Sequence, residues 1–274
     1  MNRRAFLAGA AFGMGGLTTG GAAFGLDGRG DLQSRELDGS AAPGGWPQPL
    51  GQRRLVWSVP TAAPLAALTF DDGPDPELTP HILDILAEHG ATATFNVMGW
   101  NATRHPDLVR AVVAAGHELG NHTWTHLDLA RQSTSQTRHQ LDLGRQAIET
   151  VAAVRPRWFR PPRGELTGAA VCAAAALDED LLLWSVDRGP GGIVTPAAVA
   201  DHLARAVGHG DVVGLHDGIG RGTFDPDSPL ARGLRARRLV ELAALPAALR
   251  RLQARGIHLV TASELVEAAT QARP

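Results

Sequence analysis

From Leu55 onward, apolar and polar positions fall into two alternating kinds of block. Short apolar runs recur at 65–70, 93–98, 117–121, 158–160, 181–186, 211–215 and 258–261, each the length of a buried strand. Between them lie longer stretches with apolar residues at helical spacing: 79–88, 106–115, 135–154, 167–176, 196–207 and 235–255. Strict alternation of strand and helix predicts a parallel α/β architecture. No short internal repeat accompanies it.

The pattern before Leu55 is different. Residues 25–54 are rich in Gly, Pro and polar side chains and read as a linker or a tail lying over the domain. Residues 1–24 carry Arg3-Arg4 ahead of a weakly apolar Gly/Ala-rich stretch, with Gly21 and Ala23 placed for signal-peptidase cleavage. This reads as a twin-arginine export signal, with a disordered Arg-containing tail as the alternative. Gly and Thr interrupt the stretch, so no stable membrane span is expected in the mature form, although an uncleaved anchor stays open. The expected organisation is a signal over 1–24, an extension over 25–54, a catalytic domain over 55–268 and a tail over 269–274. The mature protein is expected in the periplasm, on the cell wall or secreted.

Composition narrows the chemistry. The chain has 274 residues and a net charge of −2, which gives no basic face for nucleic acid. All basic residues other than His are Arg, so no Lys is present for a Schiff base, and no Tyr is present as an acid or oxyanion donor. The lone Cys172 cannot form an internal disulfide. A monomer is expected.

Four short motifs sit at the ends of apolar runs. Asp71-Asp72-Gly73-Pro74 ends the first. Neighbours on an extended chain point to opposite sides, so one carboxylate can bind a metal while the other takes a proton. An N-cap for the helix that follows is the alternative. His122 and His126 stand four apart after the third run, and with one Asp they complete a three-ligand set with room for water. Surface or core histidines without a metal remain the alternative. Arg160-Pro161-Pro162-Arg163 and Leu215-His216-Asp217 follow two later runs and are weak signals alone.

Taken in order, the four motifs resemble the polysaccharide deacetylases with a NodB-homology domain, carbohydrate esterase family four. The resemblance covers about residues 55 to 268. It implies a deformed (β/α) barrel of about seven parallel strands. It also implies one divalent metal, expected to be Zn²⁺ with Co²⁺, Ni²⁺, Mn²⁺ and Fe²⁺ open, held by Asp72, His122 and His126. Asp71 is then the general base and His216 the general acid. Arg160 orients Asp71, the Arg163 backbone N–H stabilises the oxyanion, and Leu215 lines the acetyl pocket. The expected substrate is an extracytoplasmic glycan containing N-acetylglucosamine, peptidoglycan or chitin-like.

The resemblance fails at one block. After Trp184-Ser185-Val186-Asp187 the family continues to an Asp-Trp pair, whereas this chain reads Arg188-Gly189-Pro190-Gly191-Gly192. Asp187 is the candidate to tune His216 in place of the missing Asp. The altered block leaves two other readings open: a glycan-binding protein impaired in catalysis, and a hydrolase of a small non-sugar amide.

Overall fold

The computed structural model describes residues 53–191, 194–220, 225 and 227–271. The expected export signal and most of the expected extension lie outside the described residues. Among the described residues nine strands form one sheet: β1 (Leu55–Val56), β2 (Leu65–Asp71), β3 (Thr94–Val97), β4 (Glu118–Asn121), β5 (Trp158–Phe159), β6 (Asp180–Leu182), β7 (Val186–Asp187), β8 (Val212–His216) and β9 (His258–Val260). The helices are α1 (Thr79–Glu88), α2 (Gly99–Arg104), α3 (Pro106–Ala114), α4 (Thr134–Ala152), α5 (Gly168–Ala176), α6 (Pro196–Ala206), α7 (Pro229–Ala254) and α8 (Ala262–Gln271). Strand order is β1-β6-β5-β4-β3-β2-β8-β7, with β9 on β2, and every strand pairing is parallel.

The sheet curls towards a ring. Ser58, beyond β1, makes an antiparallel bridge to Asp211 at the foot of β8, bringing the two flanks together. This agrees with the expected deformed barrel; the count among the described residues is nine because β1 is added and one expected strand is divided. The expected strand at 181–186 is two strands. The Leu183 N–H donates to Val56 O on one flank and the Ser185 N–H to Val212 O on the other, so the chain crosses the seam there. Helix α8 continues to Gln271, through much of the expected tail.

Side-chain alternation sorts the core into layers. On the outer face Ala66, Leu68, Phe70, Phe95, Leu119, Val213 and Leu215 pack with the surrounding helices. Inside, Ala67, Trp158, Leu182 and Val212 pack on Ala262, Leu265 and Val266 of α8, which fills the barrel floor. Strand β2 is buried nearly throughout, as expected of a central parallel strand covered on both faces.

Helix starts follow local chemistry. Ser133 and Gln136 form a reciprocal capping box at α4. Thr195 and Ser228 cap α6 and α7, each followed by a Pro at the first helical position, where its missing N–H costs nothing. That Ser-Pro start places the beginning of α7 at Pro229, ahead of the expected 235.

Candidate metal centre and active site

Register brings the site together before any loop contributes. Asp71 pairs with Asn96 on β3 and with His216 on β8, so three functional side chains share one rung at the C-terminal ends of the strands. His122 and Arg160 follow β4 and β5 directly. In a barrel of parallel strands this is the end where active sites are built.

Asp71 is 6% exposed. Its Oδ1 accepts from Asn96 Nδ2 at 2.7 Å and from Arg160 Nη1 at 2.8 Å. Burial alone would raise its pKa, but the charges of Arg160, His122 and His216 outweigh burial and hold it below the usual carboxylate range. Arg160 is fully buried. It also donates to Thr69 Oγ1 at 2.6 Å and to the carbonyls of Leu182 and Leu183 at 3.0 and 2.8 Å. The last two lie where the chain begins to cross the seam, so one guanidinium closes the ring and carries the Asp71 charge.

Asp72 does not continue the strand. Its φ of 78° turns the chain, so its carboxylate faces the same cavity as Asp71, not the opposite side. His126 also has positive φ, 57°. A left-handed non-glycine residue costs about 1–2 kcal/mol, and here hydrogen bonds hold the geometry. Asn101 Nδ2 donates to Asp72 O at 2.8 Å, and the His126 N–H to Thr123 Oγ1 at 3.1 Å. A Cβ on Gly218 would lie 2.4 Å from Asp72 O, so this close approach needs glycine.

The donor set fits a divalent metal. His122 Nε2 and His126 Nε2 lie 3.4 and 3.3 Å from Asp72 Oδ1. Asp72 Oδ1 is buried with no hydrogen-bond partner, although Asp72 Oδ2 accepts from Arg238 Nη2 at 3.2 Å. An orphaned buried carboxylate oxygen facing two imidazole nitrogens is a donor set that suits a divalent cation. The three ligand atoms lie within 4.8 Å of one another. His122 Nδ1 donates to Arg160 O at 2.7 Å, which leaves the Nε2 lone pair for a metal. Burial lowers the His122 pKa, but the Asp71 and Asp72 charges more than compensate and raise it. For His126 burial prevails and its pKa is pushed down to about 4. Burial opposes ionisation of Asp72 as well, but the nearby His122 imidazole and the charges of His126, His216 and Arg238 hold it far below the usual range.

A cavity of about 220 Å³ opens on this cluster, lined by Asp71, Asp72, His122, His126, Arg163, Trp184, His216 and Arg238, with Ile219, Leu230 and Leu234 as its apolar part. A second cavity of about 350 Å³ shares Asp71, Trp184, His216, Leu234 and Arg238 and extends over Gly189 and Gly191. Trp184 forms a wall between strands: a Cβ on Gly214 would sit 3.0 Å from its ring. Arg163 lines the first cavity with φ 59°, its guanidinium held by Asp128 at 2.8 Å and Glu165 at 3.2 Å.

Two expected site residues do not take the expected roles; Asp187 lines the second cavity, but Leu215 lines neither. Leu215 is next to His216 on β8, so when His216 points inward, Leu215 points out into the helix-facing core. Asp187 does not reach His216. Its Oδ1 accepts from the Gly189 N–H at 2.8 Å and fixes the turn after β7. The carboxylate that meets His216 is Glu241 of α7, 3.1 Å from Nδ1. Glu241 and Arg238 were missed in sequence, yet they fall on the stripe of α7 that continues through Leu245, Ala248 and Leu252. Charges on an apolar stripe are the signal that identifies them.

Comparison with known proteins agrees with this geometry. A family profile described as polysaccharide deacetylase matches residues 58–180. A peptidoglycan-N-acetylglucosamine deacetylase of Bacillus cereus is 34% identical over 214 residues, spanning 77% of this chain and 92% of the relative. A chitooligosaccharide deacetylase of Sinorhizobium fredii is 38% identical over 172 residues, 60% of this chain and 77% of the relative. A solved peptidoglycan N-acetylglucosamine deacetylase superposes with a TM-score of 0.68 at 28% identity, over 77% of this chain and 92% of that one. Motif order, barrel and relatives coincide, and the chain belongs to the polysaccharide deacetylase family.

Proposed function

We propose that this protein is a metal-dependent deacetylase that removes N-acetyl groups from an extracytoplasmic glycan containing N-acetylglucosamine. The observation that carries the reading is the unpartnered Asp72 Oδ1 facing two imidazole Nε2 atoms, with an ionised carboxylate, Asp71, beside it. Asp72, His122 and His126 would hold the metal, which supplies Lewis acidity to the acyl oxygen and acidifies the attacking water. Zinc suits two imidazoles and one carboxylate, and Co²⁺, Ni²⁺, Mn²⁺ and Fe²⁺ share that preference.

The side chains divide the remaining work. Asp71 takes the proton of the attacking water, because Asn96 and Arg160 occupy only its Oδ1 and keep it charged. His216, across the same rung, protonates the departing amine. The Arg163 N–H, at the cavity wall, stabilises the oxyanion, a contribution of about 3 kcal/mol when such a donor is well placed.

Arg3-Arg4 and the weakly apolar stretch after them support export by the twin-arginine route and action outside the cytoplasm. Among the described residues no helix is long and apolar enough to cross a membrane. We take residues 55–268 as the catalytic domain and a monomer as the working unit. The test is acetate release from N-acetylglucosamine oligomers and from peptidoglycan, with zinc, cobalt or a chelator. Release that needs metal is expected; no release from either glycan under any metal would overturn the reading.

A further inference from the structure

We propose that Glu241 is the positioning residue for His216, supplied from α7 and not from the strand-end block where Asp187 lies. The inference rests on the deacetylase reading and adds to it a residue outside the recognised motifs.

The geometry is specific. Glu241 is 2% exposed and His216 Nδ1 lies 3.1 Å from its Oε2. The other oxygen, Oε1, accepts from Arg238 Nη1 at 3.3 Å and lies 3.5 Å from Arg188 Nε. Two guanidinium groups therefore fix the carboxylate, and one oxygen is left for the imidazole. Burial would neutralise Glu241, but the bond to His216 and the charges of Arg238 and Arg188 keep it ionised. An ionised carboxylate only accepts hydrogen bonds, so Nδ1 must carry the proton. Nε2 is then the atom presented to the cavity that His216 lines.

The arrangement serves the collapse of the tetrahedral adduct. The C–N bond breaks, its electron pair stays on nitrogen, and nitrogen takes the Nε2 proton of the imidazolium. The imidazole left behind is neutral, still donating Nδ1–H to Glu241. Arg238 sits one turn before Glu241 and donates to Asp72 Oδ2, so a single face of α7 supports both the acid and the candidate metal ligand. A purely structural Glu241 would act only by holding α7 on the barrel.

A change of leaving group separates the two roles. Amine departure needs a proton, whereas 4-nitrophenoxide departs without one. Both substrates are given to the zinc-loaded wild type and Glu241→Gln. The expected result is a fall of about 100-fold or more in kcat on N-acetylglucosamine oligomers with KM unchanged. Hydrolysis of 4-nitrophenyl acetate should change by less than about threefold. Glu241→Asp keeps the charge, covers the case in which Glu241→Gln does not fold, and should recover part of the loss. Equal losses on both substrates would overturn the proposal. If the wild type releases no acetate, the deacetylase reading fails separately, and ¹⁵N spectra of the His216 ring decide the positioning role. Nδ1–H in the wild type giving way to a tautomer mixture in Glu241→Ala upholds it, and an unchanged spectrum overturns it.

Discussion

His122 Nδ1 lies 2.7 Å from the backbone oxygen of Arg160, while the side chain of Arg160 holds Asp71 at 2.8 Å. One residue therefore fixes an imidazole with its main chain and a carboxylate with its guanidinium. Substitution removes only the second function. Arg160→Lys is expected to retain the metal, by elemental analysis, while turnover falls by about 100-fold or more. An ammonium cannot serve Asp71, Thr69 and two carbonyls with the fixed fork of a guanidinium. Joint loss of metal and activity would mean that the whole strand end had moved.

Metal binding should be visible without any substrate. A ligand at 100 times its Kd stabilises the fold by about 2.7 kcal/mol, and zinc should raise the melting temperature of the wild type accordingly. His126→Ala should lose that rise. Because its pKa is raised, His122 must give up a proton to ligate below that pKa, so calorimetry near pH 6 should record proton release. An equal thermal shift in His126→Ala would remove His126 from the ligand set.

The buried Glu179 sets a stability limit at alkaline pH. Asn121 Nδ2 donates to both of its oxygens at 3.1 Å, and burial raises its pKa well above the usual value, against the pull of Asn121 and nearby arginines. The folded protein holds the proton after the unfolded chain has lost it. Stability from this group is therefore complete below about pH 4.5 and declines as pH rises towards the folded pKa, by about 1.4 kcal/mol per pH unit. Glu179→Gln mimics the protonated form, so comparison over pH 5 to 8 should show it gaining on the wild type as pH rises. Some decline will remain, because burial pushes Asp217 up to about 8 in the same direction. Parallel melting curves for the two proteins across that range would refute the argument.

The second cavity predicts tolerance for larger acyl groups. Gly189 and Gly191 border about 350 Å³ beside His216. Propionyl should be removed nearly as fast as acetyl, within about tenfold, the scale of one methylene in an apolar pocket. A Cβ on Gly191 meets nothing within 4 Å, so Gly191→Val can be accommodated. It should lower the propionyl-to-acetyl ratio and leave acetyl release largely intact. An unchanged ratio would place the acyl group in the other cavity.

Much of the site could be read from the sequence because strand ends deliver it. Asp71, His122, Arg160 and His216 each end or directly follow an apolar run, and parallel strands bring such positions to one end of the barrel. What escaped depends on three dimensions. Leu215 and His216 are adjacent in sequence, and only the inward direction of His216 shows that Leu215 faces the helices. The split between β6 and β7 reflects the seam, since the ladder partners of 183 and 185 come from opposite flanks. Glu241 lies 25 residues from His216 and no local motif announces it. Its signal was a charge on the buried stripe of α7, which gains meaning once the helix is placed over the barrel.

Lysine is absent, so Arg163, Arg188, Arg237 and Arg238 around the cavities, with Arg160 behind Asp71, make the lasting positive charge guanidinium throughout. A guanidinium keeps its charge at any pH at which the protein folds. The site thus has a fixed positive background against which only carboxylates and imidazoles change state. A pH–rate profile of this enzyme can therefore be apportioned among very few groups, and a single Arg→Lys exchange, silent in charge count at neutral pH, would add a new titration on the alkaline side.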